Sequence, residues 1–198
     1  MRGFDYKKAT QALNLFSIKE GGIINKMKAI KLVWLSDRVH LRNYARTITG
    51  DTYFALPNGP IPSSTRDILE QNDISLSEDE LKYSSEYLKI TGKYEFKSNA
   101  VVNNKVFSQT DIECINTAYD LYGKFDKYKL SDLSHSFPEW KKYESALNNK
   151  ISSRFLMEEI DFFNDAPMEV DFFENKPELT ILSKEVYLEY IHIANLLS

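Results

Sequence analysis

The sequence predicts a mainly α (α+β) fold: a compact helical domain with a small antiparallel β-sheet or hairpin. Three observations predict it. Apolar residues recur at helical spacing through most of the chain. Residues suited to capping a helix stand ahead of several of those runs. Between them lie only short alternating or β-branched stretches bounded by turn residues. With 198 residues, 42% of them apolar, the chain is long enough to bury a core without disulfide or metal staples.

A first helix starts near Asp5, a good N-cap residue. Tyr6, Ala9, Leu13 and Phe16 share one face, and Gly21-Gly22 ends it. A second helix runs from about Ile24 to Ala45. Met27, Ile30, Val33, Trp34, Leu41 and Tyr44 fall on one face, and Lys28, Lys31, Arg38, Arg42 and Arg46 on the opposite one, which predicts an amphipathic helix. Ile48 to Asp51 reads as a turn and Tyr53 to Leu56 as a strand broken by Pro57-Asn58-Gly59-Pro60. A helix follows to about Glu70, and Ser77 with Glu80 has the spacing of a capping box. Residues 87–107 look like a hairpin turning at Ser98-Asn99 or Asn103-Asn104. Ser108 and Asp111 open a helix that Gly123 stops. Short helices are expected from Ser131 and from Pro138 to about Leu147, and a further one from Arg154 to Asn164. The last helix spans Ser183 to Leu197, with Val186, Tyr187, Tyr190, Ile193 and Leu197 as its apolar stripe.

Charge is unevenly spread. The net charge of −4 divides into +7 over residues 1–50 and −11 over the rest, and residues 158–178 carry eight acids against one base. Such asymmetry fits two partner surfaces, or two solvated faces that could face each other. A single cysteine, Cys114, excludes an internal disulfide and reads as a small core residue. One Cys and three His at no recognisable spacing provide no zinc set, and no cofactor is expected. The polar N-terminus is not of signal-peptide type and no apolar run is of spanning length, so a soluble, cytoplasmic protein is expected.

One charged residue breaks the pattern. Asp37 projects from the middle of the apolar face of the second helix, with His40 at the margin. A buried carboxylate is stable only if paired or well hydrogen-bonded. Thr49, Gly50 and Asp51 in the following turn offer the nearest donors. Two readings are open: a polar network that pins the turn to the helix, or a catalytic or metal-binding group of Asp37, His40 and Asp51 with His135 as a fourth member. The second would make a metal-dependent hydrolase. A third reading takes the basic face of residues 24–46 as a DNA-binding autoregulator, against which stand the acidic whole and the lack of interleaved aromatics.

The run Lys28-Ala29-Ile30-Lys31-Leu32 through Trp34, Asp37-Arg38, His40-Leu41 and Tyr44, then Ile48-Thr49-Gly50-Asp51, Tyr53, Ala55 and Gly59-Pro60-Ile61, resembles the signature of the Panacea antitoxin domain family. These are SocA-like and phage-associated GepA-like proteins. A second block agrees, Leu130-Ser131-Asp132-Leu133-Ser134-His135 followed by Trp140. Ala45 stands where a glycine usually follows the tyrosine, and Ser134 where the family has threonine. The resemblance covers roughly residues 5–150. It implies a mainly helical, non-enzymatic domain that neutralises a cognate toxin by direct binding. The SocA branch hands its toxin to a protease, a role that no residue here displays, and a homo-oligomer remains open.

The expected organisation is therefore a Panacea domain over 1–150 and an acidic, aromatic C-terminal extension over 151–198 packed on or next to it. In that extension Phe162, Phe163, Phe172 and Phe173, set among Asp165 and Asp171, are candidate anchors for a basic toxin surface. The alternative is that they pack on the domain's own core.

Overall fold

The computed structural model describes residues 3–174 and 176–197. Its centre is α2 (Lys26–Tyr44), capped by the Asn25 side chain, which accepts from the Met27 and Lys28 amides. α1 (Tyr6–Lys19) packs beside it and is capped by Asp5, which accepts from the Lys8 amide at 3.0 Å. Gly21 and Gly22, both at positive φ, turn the chain into β1 (Ile23–Asn25), a strand too short to announce itself in the sequence. After α2 come β2 (Tyr53–Leu56), β3 (Gly59–Pro62), α3 (Ser63–Glu70) and α4 (Glu78–Tyr87). The Ser77/Glu80 capping box at the head of α4 is complete. β4 (Leu88–Ile90), β5 (Glu95–Ser98), a 3-10 turn at Asn104–Val106 and α5 (Gln109–Tyr122) follow. α5 starts on a Ser108/Asp111 capping box and ends at Gly123. α6 (Lys127–Ser134), α7 (Pro138–Lys141), α8 (Glu144–Asn148), β6 (Phe155–Leu156), a 3-10 turn at Glu159–Phe163 and α9 (Pro177–Leu196) complete the chain.

Two three-stranded antiparallel sheets flank the helices, ordered β1-β5-β4 and β3-β2-β6. This is the mainly α (α+β) architecture that the sequence predicts. Several local expectations are corrected. Pro57-Asn58 is a hairpin turn, not a strand terminus: β3 pairs with β2 from Gly59↔Leu56 to Pro62↔Tyr53. The hairpin at 87–107 turns at residues 91–94, and Val101-Val102 lies outside it. Asp126 caps α6, so that helix begins earlier than Ser131. Residues 154–164 form β6 and a 3-10 turn rather than a helix, because residues 155–156 find a pairing edge on β2. The stripe expected on the last helix is not its buried face: of those five residues only Tyr187 is buried.

The largest correction concerns α2. It is not a surface amphipathic helix. Every residue from Lys28 to Arg42 is buried, the four cations included, while Tyr44 at its end is exposed. A helix buried all round forms the centre of a core. α5 packs on one side of it and α9 and the 3-10 turn at 159–163 on another. The core joins Trp34, Phe137 and Trp140 to Tyr53, Ile115, Tyr122 and Phe162.

Candidate functional site

The site is built from α2 and the turn after it. Asp37 is fully buried, and its Oδ1 accepts the Ile48 amide at 2.7 Å and the Thr49 amide at 3.0 Å. Its Oδ2 accepts the Thr49 hydroxyl at 2.6 Å. Burial pushes the carboxyl up to about 6, against the downward pull of these donors. The same turn is tied to α1, since the Asp5 amide donates to the Thr49 carbonyl at 2.7 Å. Ala45, which ends α2, has φ 57 and ψ 19. That left-handed conformation suits glycine better than alanine.

Asp51 serves a different structure. It accepts the Thr52, Ser64 and Thr65 amides and the Thr65 hydroxyl, all within 2.8 Å, and so caps α3. Pro62, at the N-cap position, makes no side-chain bond of its own.

His40 is fully buried. Its Nδ1 lies 2.8 Å from the Arg46 carbonyl, to which it can only donate, while Nε2 lies 3.1 Å from both the Thr110 hydroxyl and Asp111 Oδ1 and donates to that carboxylate when the ring carries both protons. Asp111 is the hub here. It also accepts from Lys8 Nζ at 2.7 Å, Arg46 at 2.8 Å and the Ser108 amide at 2.9 Å. Burial alone would raise the Asp111 carboxyl, but the bonds from His40, Lys8, Ser108 and Arg46 outweigh it and hold it well below the usual range.

His135 closes α6 and stacks on Trp140, with ring centroids 4.0 Å apart. Burial, then the Lys31 charge, lowers it. Trp140 Nε1 donates to the Leu56 carbonyl at 2.8 Å, fastening α7 to the β2–β3 hairpin. Tyr53, on β2, is buried edge-on to Phe162 at 5.0 Å. Gly59, at φ +96, permits a close approach. A Cβ there would lie 2.2 Å from Ser134 Oγ and 2.4 Å from Lys31 Nζ, and Lys31 donates to the neighbouring Pro60 carbonyl at 2.9 Å. Burial lowers the Lys31 amine well below its ordinary value. Tyr44 only leans its exposed ring on His40, 4.8 Å away.

Asp37, His40, Asp51 and His135 therefore do not converge. Each is engaged by a different set of partners, and among the described residues no group of three or more His, Cys, Asp or Glu side chains is placed to hold a metal ion. The geometry of a metal-dependent hydrolase built on these four is absent. Cys114 is buried, and burial pushes its thiol up to about 12.

The basic face is also placed otherwise than the sequence suggests. Lys28 bonds Glu20 at 2.7 Å and the Gly123 carbonyl at 2.6 Å. Arg38 Nε donates to Glu139 at 3.0 Å, and its two terminal nitrogens donate to Asp171 and the Asn164 carbonyl, each at 2.9 Å. Arg42 holds the Phe162 and Asn164 carbonyls and Asp165, the last at 2.6 Å. Arg46, half-buried, turns to Asp111. With Lys28, Lys31, Arg38 and Arg42 all buried, these four cations are not placed to meet a DNA backbone. Two acids of the C-terminal segment, Asp171 and Asp165, pair with α2 of their own chain.

The aromatic candidates follow the same pattern. Phe162 and Phe163 are core residues, at 0% and 5% exposure. Phe172 and Phe173 are half-buried against Tyr122, with centroids 5.3 and 5.2 Å away, and the Tyr122 hydroxyl accepts the Phe172 amide at 2.9 Å. Residues that sequence reasoning passed over are Asp111, visible only as a capping residue, and Glu139, hidden behind Pro138. Both owe their importance to cations far along the chain.

Comparison with known families decides the assignment. The family model described as "Antitoxin SocA-like, Panacea domain" matches residues 30–141, more than half of the chain. The chain belongs to this family. No curated protein and no solved structure matches it. The Panacea match runs from within α2 to the end of α7, so Asp37, His40, the Thr49–Asp51 turn, Gly59, His135 and Trp140 all fall inside it. α1, and everything from α8 onward, falls outside.

Replacing Asp37 tests the brace. Asp37→Ala leaves two amides and a hydroxyl without their acceptor and is expected to lower stability by about 1–3 kcal/mol in urea unfolding. The folded carboxyl titrates near 6, above its unfolded value, so its contribution is full below the unfolded value of about 3.9 and is lost as pH rises through about 6. The deficit of the variant should accordingly be smaller at pH 7.5 than at pH 4.

Proposed function

We propose that this protein is an antitoxin that neutralises a cognate toxin by binding it directly. The observation that carries the reading is the Panacea match over residues 30–141. What the charged residues do supports it. Asp37, Asp51, Asp111, Arg38 and Arg42 are spent on bracing turns, caps and the C-terminal segment, which suits a protein that works through its surface. Among the described residues no helix is long and apolar enough to cross a membrane.

The test is growth. Expression of the reading frame adjacent to this gene should arrest cells when expressed alone. Co-expression with this chain should restore growth, and the two proteins should co-purify with defined stoichiometry. Arrest that persists at confirmed expression of both would sink the reading.

A further inference from the structure

α9 is a largely uncovered helix. Of its twenty residues, Pro177–Leu196, only Ser183 and Tyr187 are buried, and Tyr187 seats the helix against Phe163 with centroids 5.5 Å apart. With successive positions at about 100°, Leu182, Val186, Tyr190 and Ile193 fall within about 80° of one another, on the flank next to the seated residues Ser183 and Tyr187, where Val186 packs half-buried against the core. Leu182 is 57% exposed, Tyr190 63% and Ile193 45%, and Leu197 continues the row just beyond the helix at 83%. Scattered exposed apolar residues mean little, but several large ones together along one flank of a helix mark an interaction surface. Glu178, Glu185 and Glu189 border the row on one side. Beside the first turn of α9, a cleft between α2 and the C-terminal segment is lined by Arg42 and Lys176 as well as Asp165, Asp171, Glu174 and Thr180. Asp165 and Glu174 keep their side chains mostly exposed although each touches a cation, Arg42 and Lys176 respectively.

We propose that this exposed flank of α9, with its acidic border, is the surface on which the toxin docks, and that the toxin presents to it an apolar helix face flanked by Lys and Arg. The proposal rests on the antitoxin reading and adds the place and the chemistry of recognition. Charge selects the occupant. A second copy packed antiparallel on this row would set Glu178, Glu185 and Glu189 against the same acids, and an anionic lipid surface would be repelled likewise. A basic partner is attracted by them. The apolar row supplies the anchors of a helix-against-helix contact, and the acids steer encounter and fix orientation.

Two variants test it with the toxin identified by growth rescue. Leu182→Asp/Ile193→Asp changes exposed positions, so the circular dichroism spectrum and Tm should stay at wild-type values. Binding to the purified toxin should weaken at least about tenfold and growth rescue should fail. Glu185→Lys/Glu189→Lys should also weaken binding and flatten its dependence on salt. If the first variant does not fold, the second decides. Toxin binding at wild-type affinity by the folded variants overturns the proposal while leaving the antitoxin reading intact. A wild-type dimer in sedimentation that Leu182→Asp/Ile193→Asp converts to monomer also overturns it, since the occupant is then a second copy. Failure of the wild-type chain to relieve any toxicity removes the antitoxin reading itself, and this proposal with it.

Discussion

Arg38→Ala is expected to cost about 3–5 kcal/mol of unfolding free energy, because it strips the counter-charge from a buried carboxylate. Arg38 and Glu139 are both fully buried and meet at 3.0 Å. Burial raises the Glu139 carboxyl, and Arg38 pulls it back down. Without the guanidinium, Glu139 would protonate or remain an unpaired charge, and either outcome is unfavourable in a core. The same substitution removes the donors to Asp171 and to the Asn164 carbonyl, and the cation stacked 4.8 Å over the Phe137 ring. The segment around residues 164–171 should then lose an attachment to α2 and become more open to limited proteolysis. Urea unfolding measures the first effect and the cleavage pattern the second. The double variant Arg38→Met/Glu139→Met separates pairing from packing. If removing the second charge restores most of the stability lost in Arg38→Ala, the penalty lies in the orphaned carboxylate. A double variant as unstable as Arg38→Ala would place it in the lost attachment instead.

The Arg38 cluster also explains what the sequence could and could not convey. Capping is local chemistry, so Asp5, the Ser77/Glu80 pair and the Ser108/Asp111 pair mark the starts of α1, α4 and α5 within a few residues. β1 and β6 are three and two residues long and exist only through pairing with distant segments, so no periodicity announces them. The cations of α2 look solvated on a helical wheel, because the wheel holds no record of Glu139, Asp165 or Asp171, which arrive about a hundred residues later. The segregation of charge, positive at the start and negative toward the end, does hold that record in coarse form, but it cannot tell a partner's surface from the chain's own. Asp37 could be picked out from its register on the apolar face. Its donors could not be fixed beyond the turn that supplies them, because they depend on how α2 ends at Ala45. α9 is the converse case: its periodicity shows that it is a helix, but not which of its faces the rest of the chain leaves uncovered.

Asp111→Ala should be as damaging as the loss of Arg38, at least about 3 kcal/mol, and should carry an opposite pH signature to Asp37. One carboxylate, with no exposed side-chain surface, joins α1 through Lys8, α2 through His40, the following turn through Arg46 and the head of its own helix through the Ser108 amide. Its removal leaves the buried His40 Nε2 with only the Thr110 hydroxyl, Lys8 without its acceptor, and Arg46 with only the Thr47 carbonyl and the Ser108 hydroxyl. Asp111→Asn keeps the shape and one acceptor oxygen, so it should lose less than the alanine variant. The folded Asp111 carboxyl is held below its unfolded value. Its contribution is therefore fully present above the unfolded value of about 3.9 and is lost as pH falls below it. The stability gap between wild type and Asp111→Asn should be constant from pH 6 to 8 and shrink below about pH 4.5. For Asp37, raised where Asp111 is depressed, the gap should instead be widest in acid. Measuring both variants across the same pH series distinguishes a carboxylate held by cations from one held by backbone amides. Parallel curves for the two would contradict the division of labour between the hub on α5 and the brace on α2.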